Sequence, residues 1–316
     1  MTIAIGGYFE LELRGGEYYH KGALCLNSAR SCFEYVLRAR GYKKVYLPYY
    51  TCEIMVQPCQ LLHVDYEFYH VDRNLEPVFT PELSAGEAFL YTNYFGLKQS
   101  CVKRLAQHYG SKLIVDNAQA FFASALPGID TFYSPRKFFG VPDGGYLYCD
   151  ALLDMELPQS VSYDRMSHLL KRVDLGAEAG YADFKKNDES LSHQPIMKMS
   201  KLTEAILAAI DYENVQIKRK CNFQKLDAAL GETNQLHFEM DDKCVPMVYP
   251  YLTDDCSLKQ KLIENKIFGA TYWPNVMDWC KEEDWEYKLA QQACFLPVDQ
   301  RYGENIINEI VSFLEI

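Results

Sequence analysis

Thr131-Phe132-Tyr133-Ser134-Pro135-Arg136-Lys137-Phe138-Phe139-Gly140, running on into Asp143-Gly144-Gly145, joins two strand-like runs, the second being Tyr146-Leu147-Tyr148-Cys149. A lysine between Arg136 and two phenylalanines, in a turn bounded by proline and glycine, has neighbours that favour a neutral amine. Burial and an adjacent cation both disfavour an ammonium, and a lysine that attacks a carbonyl needs the neutral form. Taken alone, Ser134-Pro135 is an ordinary turn start and Lys137 an ordinary surface lysine. Upstream, Ile114-Val115-Asp116-Asn117-Ala118-Gln119-Ala120 puts an acidic residue at a strand end with a glutamine three positions later. Asp116 alone fits a helix N-cap, and Gln119 alone a solvated or capping side chain.

Outward from these two segments the first half alternates helix-like and strand-like runs. Ser28 to Arg40 has helical spacing with Gly41 as its stop. Lys44–Leu47, Phe68–Val71, Ala88–Thr92 and Lys112–Val115 read as strands, and Ser100–Tyr109 as a helix. Thr51–Leu62 reads as a helix that Pro58 kinks or ends. Strands separated by such helices predict an α/β fold with a mostly parallel central sheet and helices on both faces. Ligands in such sheets bind beyond the C-terminal strand ends, where Asp116 and the loop after Tyr133 fall. Further on, Ser162–Val173 reads as a helix, Gly176–Pro195 as a polar loop and Lys198–Lys220 as one long amphipathic helix. Lys218-Arg219-Lys220 reads as its solvated end. A second alternating region starts near Val245–Tyr249, with helices at Ser257–Asn265 and Glu304–Leu314. The division expected is a large domain over 1–220 and a smaller α+β domain over 221–316.

The bulk numbers agree with a globular protein: 316 residues, 48% hydrophobic and 24% charged. A formal net charge of -11 works against phosphate backbones, so nucleic acid is not an expected partner. Eleven scattered cysteines form no CxxC pair and no Cys/His cluster, which argues against a metal site and a disulfide scaffold. The N-terminal MTIAIGGYFELELRGG lacks the layout of a signal peptide. No apolar run approaches the ~20 residues of a membrane span. The expectation is a soluble cytoplasmic protein with no membrane contact.

The pair D-x-A-Q-A and S-x-x-K-x-x-G-x-x-D-G-G resembles the cofactor signature of fold-type I enzymes that use pyridoxal 5'-phosphate (PLP). More narrowly, the chain resembles the DegT/DnrJ/StrS sugar aminotransferases. Leu26-Asn27-Ser28-Ala29-Arg30-Ser31 is similar to their phosphate segment, and Val45-Tyr46-Leu47-Pro48-Tyr49-Tyr50-Thr51 to their strand and P-x-x-T turn. Phe68–Asp72, Asn93–Gly96, Met199–Leu202 and Phe295–Val298 match further pieces in the same order. The resemblance implies that Lys137 holds PLP as a Schiff base and afterwards shuttles a proton. It implies that Asp116 keeps the pyridine nitrogen protonated and that Gln119 lies beside the ring hydroxyl. It puts the phosphate on the backbone N–H groups of Ser28, Ala29 and Arg30 at a helix N-terminus, with the Ser134 hydroxyl added.

By the same resemblance the reaction moves an amino group from a glutamate-like amino acid to a keto-sugar, nucleotide-linked, in a homodimer with both sites at the subunit interface. Two other readings stand beside it: a PLP-dependent sugar dehydratase or lyase, and a non-catalytic relative that binds. The dehydratase branch replaces the lysine with histidine, whereas Lys137 is present. Three positions depart from the pattern. Cys52 replaces a ring-packing residue after the P-x-x-T turn, and Ile196 an asparagine that reaches the phosphate across the dimer, a contact Asn187 is a candidate to supply. Phe132 stands where the family's serine lies five residues before the lysine. His63 and His70 read as structural.

Overall fold

The computed structural model describes residues 5–314; the first four residues of the N-terminal segment lie outside them. Nine strands are present among the described residues. Seven build the main sheet: β1 Leu24–Leu26, β2 Lys44–Pro48, β3 Asp65–Tyr69, β4 Glu87–Thr92, β5 Leu113–Asn117, β6 Asp130–Tyr133 and β7 Gly145–Tyr148. Their spatial order is β1-β7-β6-β5-β4-β2-β3. The strands from β3 through β6 pair in parallel, and β7 alone runs against its neighbours, antiparallel to both β6 and β1. The expected mostly parallel α/β sheet is therefore present. A second, two-stranded antiparallel sheet pairs β8 Val248–Tyr251 with β9 Cys294–Pro297.

Among the described residues eleven α-helices accompany these strands: α1 Ala29–Arg40, α2 Val56–Leu62, α3 Gln99–Tyr109, α4 Ser167–Leu175, α5 Tyr181–Ser192, α6 Lys201–Ala208, α7 Tyr212–Leu230, α8 Leu258–Glu264, α9 Val276–Trp279, α10 Trp285–Gln292 and α11 Glu304–Leu314. Helix α1 runs between the expected signals. The Ser28 hydroxyl accepts the Ser31 N–H, and Gly41 ends the helix in a left-handed conformation.

The two faces of the sheet follow the strand period of two. Ile114, Leu90 and Phe132 join Phe33, Val36 and Leu37 of α1 in one apolar cluster. Leu113, Val115, Phe89, Tyr91 and Tyr133 join the larger cluster on the opposite face, with Val102 and Leu105 of α3 and most of the second half. Alternation then puts Thr92, two residues past Leu90, and Asp116, two past Ile114, on the α1 side of the sheet. Both are buried at C-terminal strand ends.

Several expectations are corrected. Residues 176–195 are not a loop: α5 fills most of them, and its polar composition reflects a helix that buries only Asn187 and Leu191. Lys198–Lys220 is two helices, because Ser200 caps α6 by accepting from Thr203 and Asp211 caps α7 by accepting from Asn214. Pro58 neither kinks nor ends α2; it occupies the first turn, where no intrahelical N–H bond is lost. The expected division at 220/221 falls within α7.

Candidate active site

Asp116 is the best-defined member of the site. It lies in β5 between Thr92 of β4 and Phe132 of β6 in register, and is 5% exposed. Its Oδ1 accepts the Ala118 N–H at 2.8 Å, an Asx turn with no helix after it, which is all that remains of the N-cap reading. Burial pushes its carboxyl up from 3.8 to about 6; the Ala118 N–H, the Lys137 charge and the Thr92 hydroxyl all work against that rise. The Thr92 hydroxyl is itself buried and has no partner at hydrogen-bonding geometry, so its effect on the carboxylate is one of proximity.

Gln119 follows in the same turn, 1% exposed. Its Oε1 accepts the Phe95 N–H at 3.0 Å, while its Nε2 is buried without a partner among the described residues. A buried amide donor left unpaired costs about 1–3 kcal/mol, so this one marks a place for an acceptor.

Lys137 ends a three-residue 3-10 turn, Pro135–Lys137, directly after β6. Phe138 and Phe139 turn into the core, but Lys137 itself is exposed, which corrects the expectation of an amine enclosed by its two phenylalanines. Its Nζ lies 5.6 Å from the centre of the Tyr272 ring. Its charge pulls against the rise that burial imposes on the Cys52 thiol, as it does for Asp116. Ser134 is buried, and its hydroxyl makes no hydrogen bond to the described residues.

The N-terminus of α1 meets β7 through the paired glycines. Gly144, at φ +120°, donates its N–H to the Asn27 carbonyl at 2.8 Å. At Gly145 a Cβ would fall 2.5 Å from the Ser28 carbonyl and 2.8 Å from the Ala29 nitrogen. Only glycine lets the two backbones approach this closely. The Ser28 hydroxyl is engaged with Ser31 and the Ser28 backbone bridges in parallel to Gly144, leaving the Arg30 N–H as the donor of the first turn without a partner among the described residues. The Arg30 guanidinium is tied to Glu34 at 3.0 Å and to the Gln194 carbonyl, so that residue offers its backbone only.

At the departures from the family pattern, Ile196 is core, packed in the α1-side cluster. Asn187 is buried and its Nδ2 donates to the Pro142 carbonyl at 2.8 Å, so that donor is already engaged within the chain. Tyr50 and Tyr94 are fully buried, with the Tyr94 hydroxyl on the Tyr50 carbonyl at 2.9 Å, whereas Tyr49 is half-buried and stacks on Phe68. His70 pairs with buried Glu286 at 3.2 Å. A cavity of about 690 Å³ lies elsewhere, between residues 16–22 and 201–208.

No family model matches the chain. No curated protein matches it in sequence. Solved structures do match in three dimensions. A DegT DnrJ EryC1 StrS aminotransferase from Brucella abortus superposes with a TM-score of 0.60 at 13% identity, covering 94% of this chain and 86% of its own. The fold is that of a DegT/DnrJ/EryC1/StrS aminotransferase. S. venezuelae DesV, solved in complex with a ketimine intermediate, gives 0.58 at 16% identity, with 94% and 84% covered. NtdA from Bacillus subtilis, solved with bound cofactor PMP, gives 0.63 at 14%, with 93% and 72% covered.

Sequence reasoning did not find Tyr272, which reaches Lys137 from the second half with no motif around it. Nor did it find Arg219: it is 1% exposed in the middle of α7, not at a solvated end. A signal existed, since Val215, Arg219, Asn222, Phe223, Leu226 and Leu230 form one buried stripe at helical spacing.

Proposed function

We propose that this chain is a PLP-dependent aminotransferase, moving an amino group from a glutamate-like amino acid to a keto-sugar, nucleotide-linked. The observation that carries the reading is the unpaired Gln119 Nε2, buried beside a buried Asp116 whose carboxyl lies within the influence of the Lys137 amine. Donor, carboxylate and amine are the three groups the ring hydroxyl, ring nitrogen and aldehyde of PLP require, so the residues fit that cofactor. When bound, it would supply an electrophilic carbon for the amino group and a ring that accepts the electron pair of a broken Cα–H bond.

This chain's residues would do the rest. Asp116 holds a proton on the ring nitrogen, and that bond to a cation draws its carboxyl down into the ionised form. Gln119 Nε2 donates to the ring hydroxyl oxygen. Ser134 and the Arg30 N–H, with Ser28 as the cap that orients that turn, take the phosphate. The Lys137 amine takes up and returns the proton of the amino donor. The keto-sugar acceptor rests on the fold relatives, and fold does not by itself fix substrate.

The proposal includes a homodimer in the cytoplasm. Leu170, Val173 and Leu175 of α4 and Tyr181 and Phe184 of α5 are exposed, and α5 is tied to the Lys137 turn by the Arg136–Asp188 pair at 2.9 Å. An apolar set of this kind is a site for another protein surface, and a second copy there would cover the exposed lysine. No helix among the described residues is long and apolar enough to cross a membrane.

The test is reconstitution with PLP. A visible absorbance band, fixed by borohydride onto the peptide containing Lys137 and converted by glutamate to the amine form of the cofactor, is the expected result. Failure to form the band sinks the cofactor reading. A band that glutamate leaves unchanged replaces transamination by the dehydratase or lyase reading.

A further inference from the structure

We propose that Arg219 and Gln300 are positioning residues for Lys137, holding the Phe138 carbonyl that follows it and linking that carbonyl to Gln119 through a circuit of hydrogen bonds joined by the backbone of Met247 and Phe95. The role given to Lys137 rests on the function proposed above; the circuit itself does not.

Because the Lys137 side chain is exposed, little packs against it to set its direction, and the backbone of its turn must do so. On the entry side that backbone is fixed by the β6 ladder. On the exit side the Phe138 carbonyl accepts two bonds from the second half of the chain, Gln300 Nε2 at 2.8 Å and Arg219 Nη2 at 3.4 Å. Arg219 also orients Gln300, donating from Nε to its Oε1 at 3.1 Å, and its guanidinium lies 4.5 Å from the centre of the Phe138 ring. A planar fork with several fixed donors can hold a carbonyl and a side-chain amide at once, which an ammonium cannot.

The circuit continues from the other edge of the same guanidinium. Arg219 Nη1 donates to the Met247 carbonyl at 3.0 Å, and the Met247 N–H donates to the Phe95 carbonyl at 2.9 Å. The Phe95 N–H donates in turn to Gln119 Oε1. The two residues assigned to opposite sides of the cofactor ring are thus joined through α7. Arg219 has no carboxylate at hydrogen-bonding distance among the described residues, since Asp299 is engaged by Arg301 at 2.7 Å. Burying a cation this way is costly and is retained where it fixes geometry.

The test uses Arg219→Lys, which keeps the charge and loses the fork, and Gln300→Leu at a half-buried position where folding is less at risk. In the cofactor-free protein, Lys137 is acylated with sulfosuccinimidyl acetate and followed by peptide mass spectrometry against exposed Lys201. With PLP added, the dissociation constant and the pH midpoint of the visible band are measured. We expect the Lys137 acylation rate to change about threefold with Lys201 unaltered, PLP binding to weaken about tenfold, and the midpoint to move by about half a pH unit or more. Folded variants that match the wild type in acylation, affinity and midpoint overturn the inference. If the wild type forms no band at all, the proposed function falls and the acylation comparison alone decides the positioning role.

Discussion

Replacing Asp116 by asparagine separates what the carboxylate does for the fold from what it does for the site. In the folded chain its carboxyl is raised from 3.8 to about 6, chiefly by burial. Two units at ~1.4 kcal/mol each correspond to about 3 kcal/mol. The folded state holds this proton more tightly than the unfolded state, so stability is greatest below the unfolded value and falls as pH rises between about 4 and 6. Above pH 6 the whole cost is present. Asparagine keeps an oxygen for the Ala118 N–H and removes the charge. Cofactor-free Asp116→Asn should therefore exceed the wild type by up to about 3 kcal/mol at pH 7.5, a rise of roughly 1 M in the urea midpoint. The gap should close toward pH 4. Adding PLP should reverse the ranking, because only the carboxylate holds the ring proton. Urea unfolding of both proteins across pH 4–8, with and without PLP, makes the measurement. A variant weaker than the wild type at pH 7.5 without cofactor, or a gap that persists at pH 4, would refute the electrostatic account.

Gly145→Ala should cost about 1–3 kcal/mol, because the new Cβ meets backbone on α1 that cannot give way; thermal melts report this. PLP affinity should fall while pyridoxal, lacking the phosphate, binds as before. Lys137→Ala should leave stability within about 0.5 kcal/mol, the side chain being exposed, yet abolish borohydride labelling. Destabilisation by several kcal/mol would mean the lysine is structural. Gln119→Leu strips the acceptor from the buried Phe95 N–H and also removes the unpaired Nε2 donor, two effects of about 1–3 kcal/mol each and of opposite sign. Cofactor-free stability in denaturant should therefore stay within about 1 kcal/mol while PLP binding weakens; a variant that binds PLP as the parent does would show that the donor is not used.

Motif and period made the sheet and its C-terminal rim readable. Asp116, Gln119 and Ser134 sit in short segments whose strand-then-turn pattern is local, so their place at one end of the sheet followed from sequence. What depends on distant chain was hidden. The exposure of Lys137 is set by which way a three-residue turn faces, and Tyr272 arrives from the second half of the chain. Arg219 was misread because three consecutive basic residues suggest a solvated end, while only the middle one falls on the apolar stripe of α7. Helix α5 was missed because a helix that buries two residues leaves almost no periodicity to detect.

Strand β1 pairs with β7 on one side, Leu24 lying opposite Leu147, and is bridged on the other at Leu26 to Lys198. During synthesis this strand thus emerges long before either run that pairs with it. Pairings of such long range close late, after the loop entropy of everything between has been overcome. Strands β2 through β6 can assemble meanwhile, since each finds its neighbours nearby in the chain. The corner where β1 leads into α1 is then the last part of the sheet to be sealed, and Leu26 stays uncovered until it is. A nascent chain stopped short of Gly145 is the form in which holdase chaperones should find most to grip.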